Sequence, residues 1–452
     1  MDRMEWKKLL SPHRLGSSEP GKITPERSPF QRDFDRIVFS SSFRRLQDKT
    51  QVFPLQRTNY VRTRLTHSIE TSSVGRSLGS MVGVHICKNF DTDGATPSDV
   101  GAIVASAALA HDIGNPPMGH AGEEAIRHWF THSEAAKLIR PKLKPDEIQD
   151  IDFYEGNAQG FRVLSKLEMP DQIGGMRLTC ATLGSFAKYP GPSSFSKRPT
   201  GIAGKKFSFF KEDRELFKEV ATSCGLLQTD DYAWKRHPLS FLLEAADDIT
   251  YLIVDFEDGL RLGAIDYQDL EDSFLAIIAS KHVKEQLNTL TCPIRKSEFL
   301  RAQAIGSLVK KASNVFINEI DSLMAGTFDS SLIDTIDCSD VLNHIRKTSC
   351  EKIYNHNKVT EIVAAGFELV SGMLDIFAPC VEELAIEAQG GQIASYRSKR
   401  LAAILPAEAI AVNDPQWLDS SYVRLMRVLD YVTGMTDGYA LELFQKLRGI
   451  SI

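Results

Sequence analysis

The stretch Val100-Gly-Ala-Ile-Val-Ala-Ser-Ala-Ala-Leu-Ala-His-Asp112, followed directly by Ile-Gly-Asn-Pro-Pro117, decides the fold. Its first eleven residues are almost entirely apolar and lack the strict alternation of a half-exposed strand, so they read as a helix buried on most sides. Gly114 offers a left-handed turn, and Pro116-Pro117 cannot continue a helix. His111 and Asp112 therefore fall at the last turn of a buried helix, facing a sharp bend. A new helix is expected from about Gly119, carrying Glu123, Ala125, Ile126 and Trp129.

Outward from this point the same helical period recurs. His67 to Val84 places Ile69, Val74, Leu78 and Met81 at helical spacing. Leu239 to Leu260 is strongly helical and closes near Gly259 and Gly263. Phe34, Ile37, Val38 and Phe43 mark an amphipathic segment that ends before Pro54. No internal repeat, low-complexity tract, alternating strand–helix pattern or Gly-rich phosphate loop is present. The fold class read from these patterns is all-α. Residues 1–30, with Pro12, Pro20, Pro25 and Pro29, read as an extended or weakly ordered arm. A core over 31–264 and a helical C-terminal region over 265–452 packed on it, as one continuous globular unit, complete the expected organisation. Within the core, 185–213 is rich in Gly, Pro, Ser and Lys. It reads most plainly as a solvated surface loop, but its length favours a mobile lid or an oligomer contact.

Composition narrows the function classes. The chain has 452 residues, 42% of them apolar, enough for a sizeable core. A net charge of −6 gives no general attraction to nucleic acid or anionic lipid. Phosphate binding must then rest on local clusters such as Arg44-Arg45, Arg62-Thr63-Arg64 and Lys205-Lys206. Seven dispersed cysteines without a CxxC pair point to reduced thiols. A charged N-terminus without an apolar h-region, and no apolar run of spanning length, give a cytoplasmic reading with no membrane partner.

Three places put ionisable groups on or beside apolar helical patterns: His67, the His111-Asp112 pair, and Asp247-Asp248. Burying such groups is unfavourable unless they are paired or hold a metal. Two imidazoles and two carboxylates from three helices form a credible divalent-cation site with room for water and phosphate. Each piece alone is weak, because a His-Asp pair is common by chance and a solitary buried histidine is usually a satisfied core residue. Arg62 and Arg64, just before His67, read either as a solvated pair near a helix start or as a phosphate contact. His120 lies past the Pro-Pro bend with Glu123 three residues on, which suits an oriented general acid/base as well as a helix-capping pattern.

The segment His111-Asp-Ile-Gly-Asn-Pro-Pro-Met-Gly-His120-Ala-Gly-Glu123 resembles the signature of the deoxyguanosine triphosphate triphosphohydrolase family of the HD superfamily. So do Arg44–Phe53, Arg62–Ser68, Glu155–Gln159, Arg236–Tyr251 and Asp430-Tyr-Val-Thr-Gly-Met-Thr-Asp437, collinear over roughly residues 28 to 445. The resemblance implies an HD-domain helical phosphohydrolase fold. It implies hydrolysis of deoxynucleoside triphosphates at the α-phosphorus, releasing deoxynucleoside and inorganic triphosphate. By that likeness His67, His111, Asp112 and Asp247 match the family's metal ligands, and His120 with Glu123 its catalytic dyad. Gln51, Tyr251 and Asp255 match positions that read the deoxyribose, and Arg64 one on the α-phosphate. Lys188 and Tyr189 match positions near the phosphate tail. Asp248 would turn aside into a structural hydrogen bond or salt bridge. The cofactor implied is Mg²⁺ or Mn²⁺, with Ni²⁺, Fe²⁺ or Zn²⁺ also suited to such ligands. A ring-like homo-oligomer, a hexamer, and single-stranded DNA as an effector are implied too.

Other readings stay open at this level. An HD phosphohydrolase acting on (p)ppGpp or a cyclic nucleotide would commonly add histidines for a second metal. His85, His128 and His132 lack the companion carboxylates, which favours one metal. A non-catalytic nucleotide or single-stranded DNA-binding regulator would use the basic segments, against the acidic net charge. Gly438 stands where relatives often carry a basic residue, and the residues that would read the base lie outside the shared motifs.

Overall fold

The computed structural model describes residues 3–19, 21–23, 27–51, 62–195, 206–354 and 357–450, the side chains of 357–359 and 362 excepted. Among these residues the only sheet is a two-stranded antiparallel ribbon, β1 (Gln228–Asp230) and β2 (Ala233–Trp234), and the rest of the regular structure is helical. The chain is all-α, as its periodicity requires. No helix of the described residues is long and apolar enough to cross a membrane. All seven cysteines are free thiols.

The centre is built from α1 (Arg64–Asn89), α2 (Pro97–Ala110) and α3 (Pro238–Arg261). Thr63 and Thr96 cap α1 and α2, each reciprocated by the residue three further on. On α1, Gly75, Gly79 and Gly83 recur every four residues and form a groove for α2. A Cβ at Gly79 would fall 2.9 Å from the Gly101 Cα, so the two backbones touch. The apolar run of α2 is accordingly buried almost throughout.

Two apolar cores result. The first joins α1, α2 and α3 to residues as distant as Phe316 and Ile345. The second gathers Ile126, Trp129 and Phe130 of α4 (His120–His132) against the later helices α6 (Asn357–Ala388) and α7 (Ser421–Thr433), with α5 (Gly156–Arg162) contributing Ala158. Both cores draw on residues either side of position 264.

Three local expectations are corrected. The N-terminal stretch is not a loose arm: Met4, Trp6, Leu9, Leu10 and Leu15 are buried in the first core, and Arg14 bonds Asp33 and the Arg177 carbonyl. Gly114 is not left-handed; it is needed because α5 passes so close that a Cβ there would lie 2.0 Å from the Gly160 nitrogen. The left-handed residues of the bend are Met118 at φ +62° and Gly119 at φ +58°. Finally, 185–213 is no solvated loop at its described ends. Phe207, Phe209 and Phe210 are fully buried, while 196–205 lie outside the described residues.

Candidate metal and phosphate site

Helix α2 ends at Ala110, and His111 follows as its C-cap in a helical conformation. The imidazole folds back on the helix end, its Nδ1 2.7 Å from the Ala108 carbonyl oxygen. A carbonyl only accepts, so Nδ1 carries the proton and Nε2 presents a lone pair. That lone pair faces carboxylate oxygens, 3.4 Å from Asp247 Oδ1 and 3.6 Å from Asp112 Oδ2. His67, one turn into α1, brings its Nε2 within 3.2 Å of the same Asp247 oxygen. The two imidazole centroids are 5.3 Å apart. One donor atom from each of His67, His111 and Asp112 lies within 4.8 Å of the others.

Acceptors that face one another repel unless a cation stands between them. Asp112 Oδ2 is buried and has no hydrogen-bond partner among the described residues. Its other oxygen takes Arg64 Nη1 at 2.9 Å and the Asn115 side-chain amide. Burial would raise the Asp112 carboxyl, yet the Arg64 guanidinium beside it holds it down at about 2. Asp247 lies far below the ordinary carboxylate range, because the Lys188 ammonium beside it outweighs its burial. Both acids are thus ionised at neutral pH, and the mixed nitrogen–oxygen set could hold a divalent cation.

Around this cluster the positive groups converge. Lys188 Nζ donates to Asp247 Oδ2 at 2.8 Å. Arg64 passes so close to the bend that a Cβ at Gly119 would lie 2.4 Å from Nη2, which explains a glycine there. Its Nε is buried without a partner. Arg62, by contrast, turns away into Glu70, Glu257 and Asp258 and is structural.

His120 opens α4 with its side chain exposed, and its Nδ1 meets Glu123 Oε2 at 2.8 Å. The other Glu123 oxygen accepts the Gly156 N–H at 2.8 Å, fixing the carboxylate. The bond to Glu123 raises the His120 imidazole above its ordinary value against partial burial. Lys206 pairs with Glu155 at 2.9 Å on the same side. Tyr189 is held by its N–H, which donates to Ser208 Oγ at 3.1 Å.

Along α3, Asp247, Tyr251 and Asp255 share one face. Tyr251 stacks on Tyr354 at 5.6 Å and 9°, and the Tyr354 hydroxyl donates to Asp255 at 2.8 Å. Burial pushes Asp255 up to about 6. Gln51 ends the described segment 27–51, its Oε1 buried and without a hydrogen-bond partner among the described residues. Asp248 does leave the cluster, but no hydrogen bond or ion pair reaches it among the described residues. Burial, then Glu244 and Asp247, raise it to about 7.

The sequence reading missed Asn115, Tyr354, Lys49 and the partners of Asp437. Asn115 and Lys49 lie within the quoted segments His111–Glu123 and Arg44–Phe53, whereas Tyr354 lies in none.

The HD domain family model matches residues 64–156, the span that carries His67, His111, Asp112, His120 and Glu123. A deoxyguanosinetriphosphate triphosphohydrolase-like protein of a Synechocystis species is 41% identical across 99% of this chain and 100% of its own length. The chain belongs to the deoxyguanosinetriphosphate triphosphohydrolase-like family. A member of this family from Listeria monocytogenes is 37% identical over 99% of this chain and 100% of its own. The Klebsiella pneumoniae protein named deoxyguanosinetriphosphate triphosphohydrolase is 29% identical over the full length of both chains.

Proposed function

We propose that this member of the family is a divalent-metal-dependent hydrolase of deoxynucleoside triphosphates, cleaving at the α-phosphorus to release deoxynucleoside and inorganic triphosphate. The observation that carries the reading is the meeting of His67, His111, Asp112 and Asp247 beside Arg64 and Lys188. The names of the full-length relatives support the substrate class.

The cation held by those four residues would polarise a phosphoryl oxygen and acidify water. The chain's own groups supply the rest. Arg64 and Lys188 neutralise the charge that grows on the phosphoryl oxygens, Arg64 through a planar fork. His120 exchanges a proton with the attacking water or leaving oxygen. Glu123, immobilised by the Gly156 N–H, fixes the ring and steadies its imidazolium. Tyr189 lies toward the phosphate tail. The Gln51 amide oxygen and the Asp255 carboxyl receive the 3′-hydroxyl. The Tyr251 ring, braced by Tyr354, closes the space a 2′-hydroxyl would need.

The test is a panel of the four deoxynucleoside triphosphates with Mn²⁺ or Mg²⁺, read by anion chromatography for tripolyphosphate. Stoichiometric tripolyphosphate supports the reading. Pyrophosphate from (p)ppGpp, or a linear nucleotide from a cyclic one, with no tripolyphosphate from the panel, would sink it, as would DNA binding without hydrolysis. Cytoplasmic residence, supported by the seven free thiols, belongs to the same proposal, as do homo-oligomeric assembly as a hexamer and single-stranded DNA as an effector, which rest on the family resemblance.

A further inference from the structure

Asp437 opens the last helix, α8 (Asp437–Leu447), yet both its carboxylate oxygens accept backbone N–H groups from distant parts of the chain. Oδ2 accepts from Thr50 at 2.9 Å and Oδ1 from Met118 at 2.9 Å. The side chain is buried, with 2% exposure, so no water competes for it.

Each N–H belongs to a segment that ends in a functional candidate. Thr50 directly precedes Gln51, and Met118 precedes His120 by two residues. Met118 is left-handed, which is unfavourable for any residue with a side chain. A backbone bent this way persists only where its surroundings over-determine it. Asp437 takes the Met118 N–H, and the absence of a side chain on Gly366 of α6 leaves space for the methionine. A second tie runs parallel: Lys49 Nζ donates to the Asn115 carbonyl at 2.5 Å and the Thr433 carbonyl at 2.8 Å. The Lys49 carbonyl in turn accepts the Arg64 N–H at 3.2 Å.

We propose that Asp437 is a positioning residue: one carboxylate ties the Gln51 segment to the His120 segment and so sets the span between sugar recognition and proton transfer. This rests on the roles proposed above for Gln51 and His120.

The test uses the full chain with its metal. Asp437→Asn is isosteric but replaces one acceptor oxygen by a donor; Asp437→Ser withdraws both. Thr436→Ala removes the N-cap of α8, whose hydroxyl accepts the Tyr439 N–H at 3.3 Å, and leaves the carboxylate in place. Amide exchange by mass spectrometry is expected to show lost protection at 48–51 and 115–120 in both Asp437 variants, with α2 and α3 unchanged. Turnover should fall tenfold or more with metal content intact, while Thr436→Ala lowers only the melting temperature. In a His120→Ala background, Asp437→Asn should lower the residual rate by a smaller factor than it lowers that of the wild type, since only the Gln51 segment is left to displace. Unchanged exchange at those segments, additive losses with His120→Ala, a turnover loss in Thr436→Ala equal to that in Asp437→Asn, or failure of both Asp437 variants to fold would each overturn the proposal. Exchange is read without substrate, so an inactive wild type would count against the functional reading alone.

Discussion

Lys188 and Asp247 form an ion pair at 2.8 Å whose carboxylate is shared: one oxygen takes the ammonium while the other faces both imidazoles. Lys188 therefore reaches the cluster through Asp247, as Arg64 does through Asp112. Lys188→Met should leave metal content near that of the wild type and lower kcat/KM by roughly two orders of magnitude, as removal of an electrostatic contact to a charged transition state does. Metal analysis beside steady-state kinetics checks it. Loss of the metal in this variant would make the lysine a support for the ligand rather than a phosphate contact.

Removing a ligand should act differently from removing the dyad. His111→Ala or Asp247→Ala is expected to purify without bound metal. His120→Ala should keep the metal and lose about 10²- to 10⁴-fold in turnover. Wild-type-like turnover in His120→Ala would take this residue out of the mechanism.

The dyad also predicts a shift in pH dependence. Glu123 raises the His120 imidazole, so the protonated ring persists to higher pH than an ordinary histidine would. Glu123→Gln withdraws that support. The limb of the kcat–pH profile that reports His120 should move toward lower pH. An unmoved limb would assign it to another group.

His237 gives a stability prediction with a definite sign. It is buried at the N-cap of α3, where Nδ1 accepts the Leu239 N–H at 3.1 Å and Nε2 donates to the Leu9 carbonyl at 2.9 Å. The bond from Leu239 needs the neutral ring, and burial outweighs the Leu9 carbonyl, which favours the protonated form, and depresses the pKa from 6.5 to about 4. The unfolded chain thus binds the extra proton first. The contribution is complete above pH about 6.5 and is lost as pH falls toward 4, about 2 kcal/mol having gone by pH 5. Urea unfolding across this range should show that slope in the wild type and a shallower one in His237→Asn.

Arg162 is fully buried and pairs with Asp430 at 2.8 Å, Asp213 at 3.0 Å and Glu212 at 2.6 Å. Arg162→Met would leave Asp430 without its cation and Glu212 and Asp213 with Lys166 alone, at 3.0 Å and 3.9 Å, a loss of about 3–5 kcal/mol. A drop in urea midpoint smaller than 1 kcal/mol implies would refute it.

What could be read from the sequence depended on whether a contact leaves a local pattern. His111 and Asp112 stood out because an apolar helix ends on them, and His120–Glu123 because dyad partners lie one turn apart. The role of Asp437 left no such mark: its partners are backbone N–H groups 319 and 387 positions away, which any residue except proline can supply. The N-terminal stretch was misread because four prolines outweighed Trp6, Leu9 and Leu10, whose burial depends on surfaces formed much later in the chain. Phe207, Phe209 and Phe210 were likewise masked by the Gly, Pro and Lys around them.

The division into two apolar cores bears on how far the HD portion can be moved. Residues 64–156 carry three of the four proposed ligands and the dyad, yet Ile126, Trp129 and Phe130 find their packing on helices more than two hundred residues downstream. Excised as a cassette, that span would present a bare aromatic flank to water and clump before it could be assayed. Grafting this chemistry onto another scaffold therefore means transplanting the tail of the chain as well.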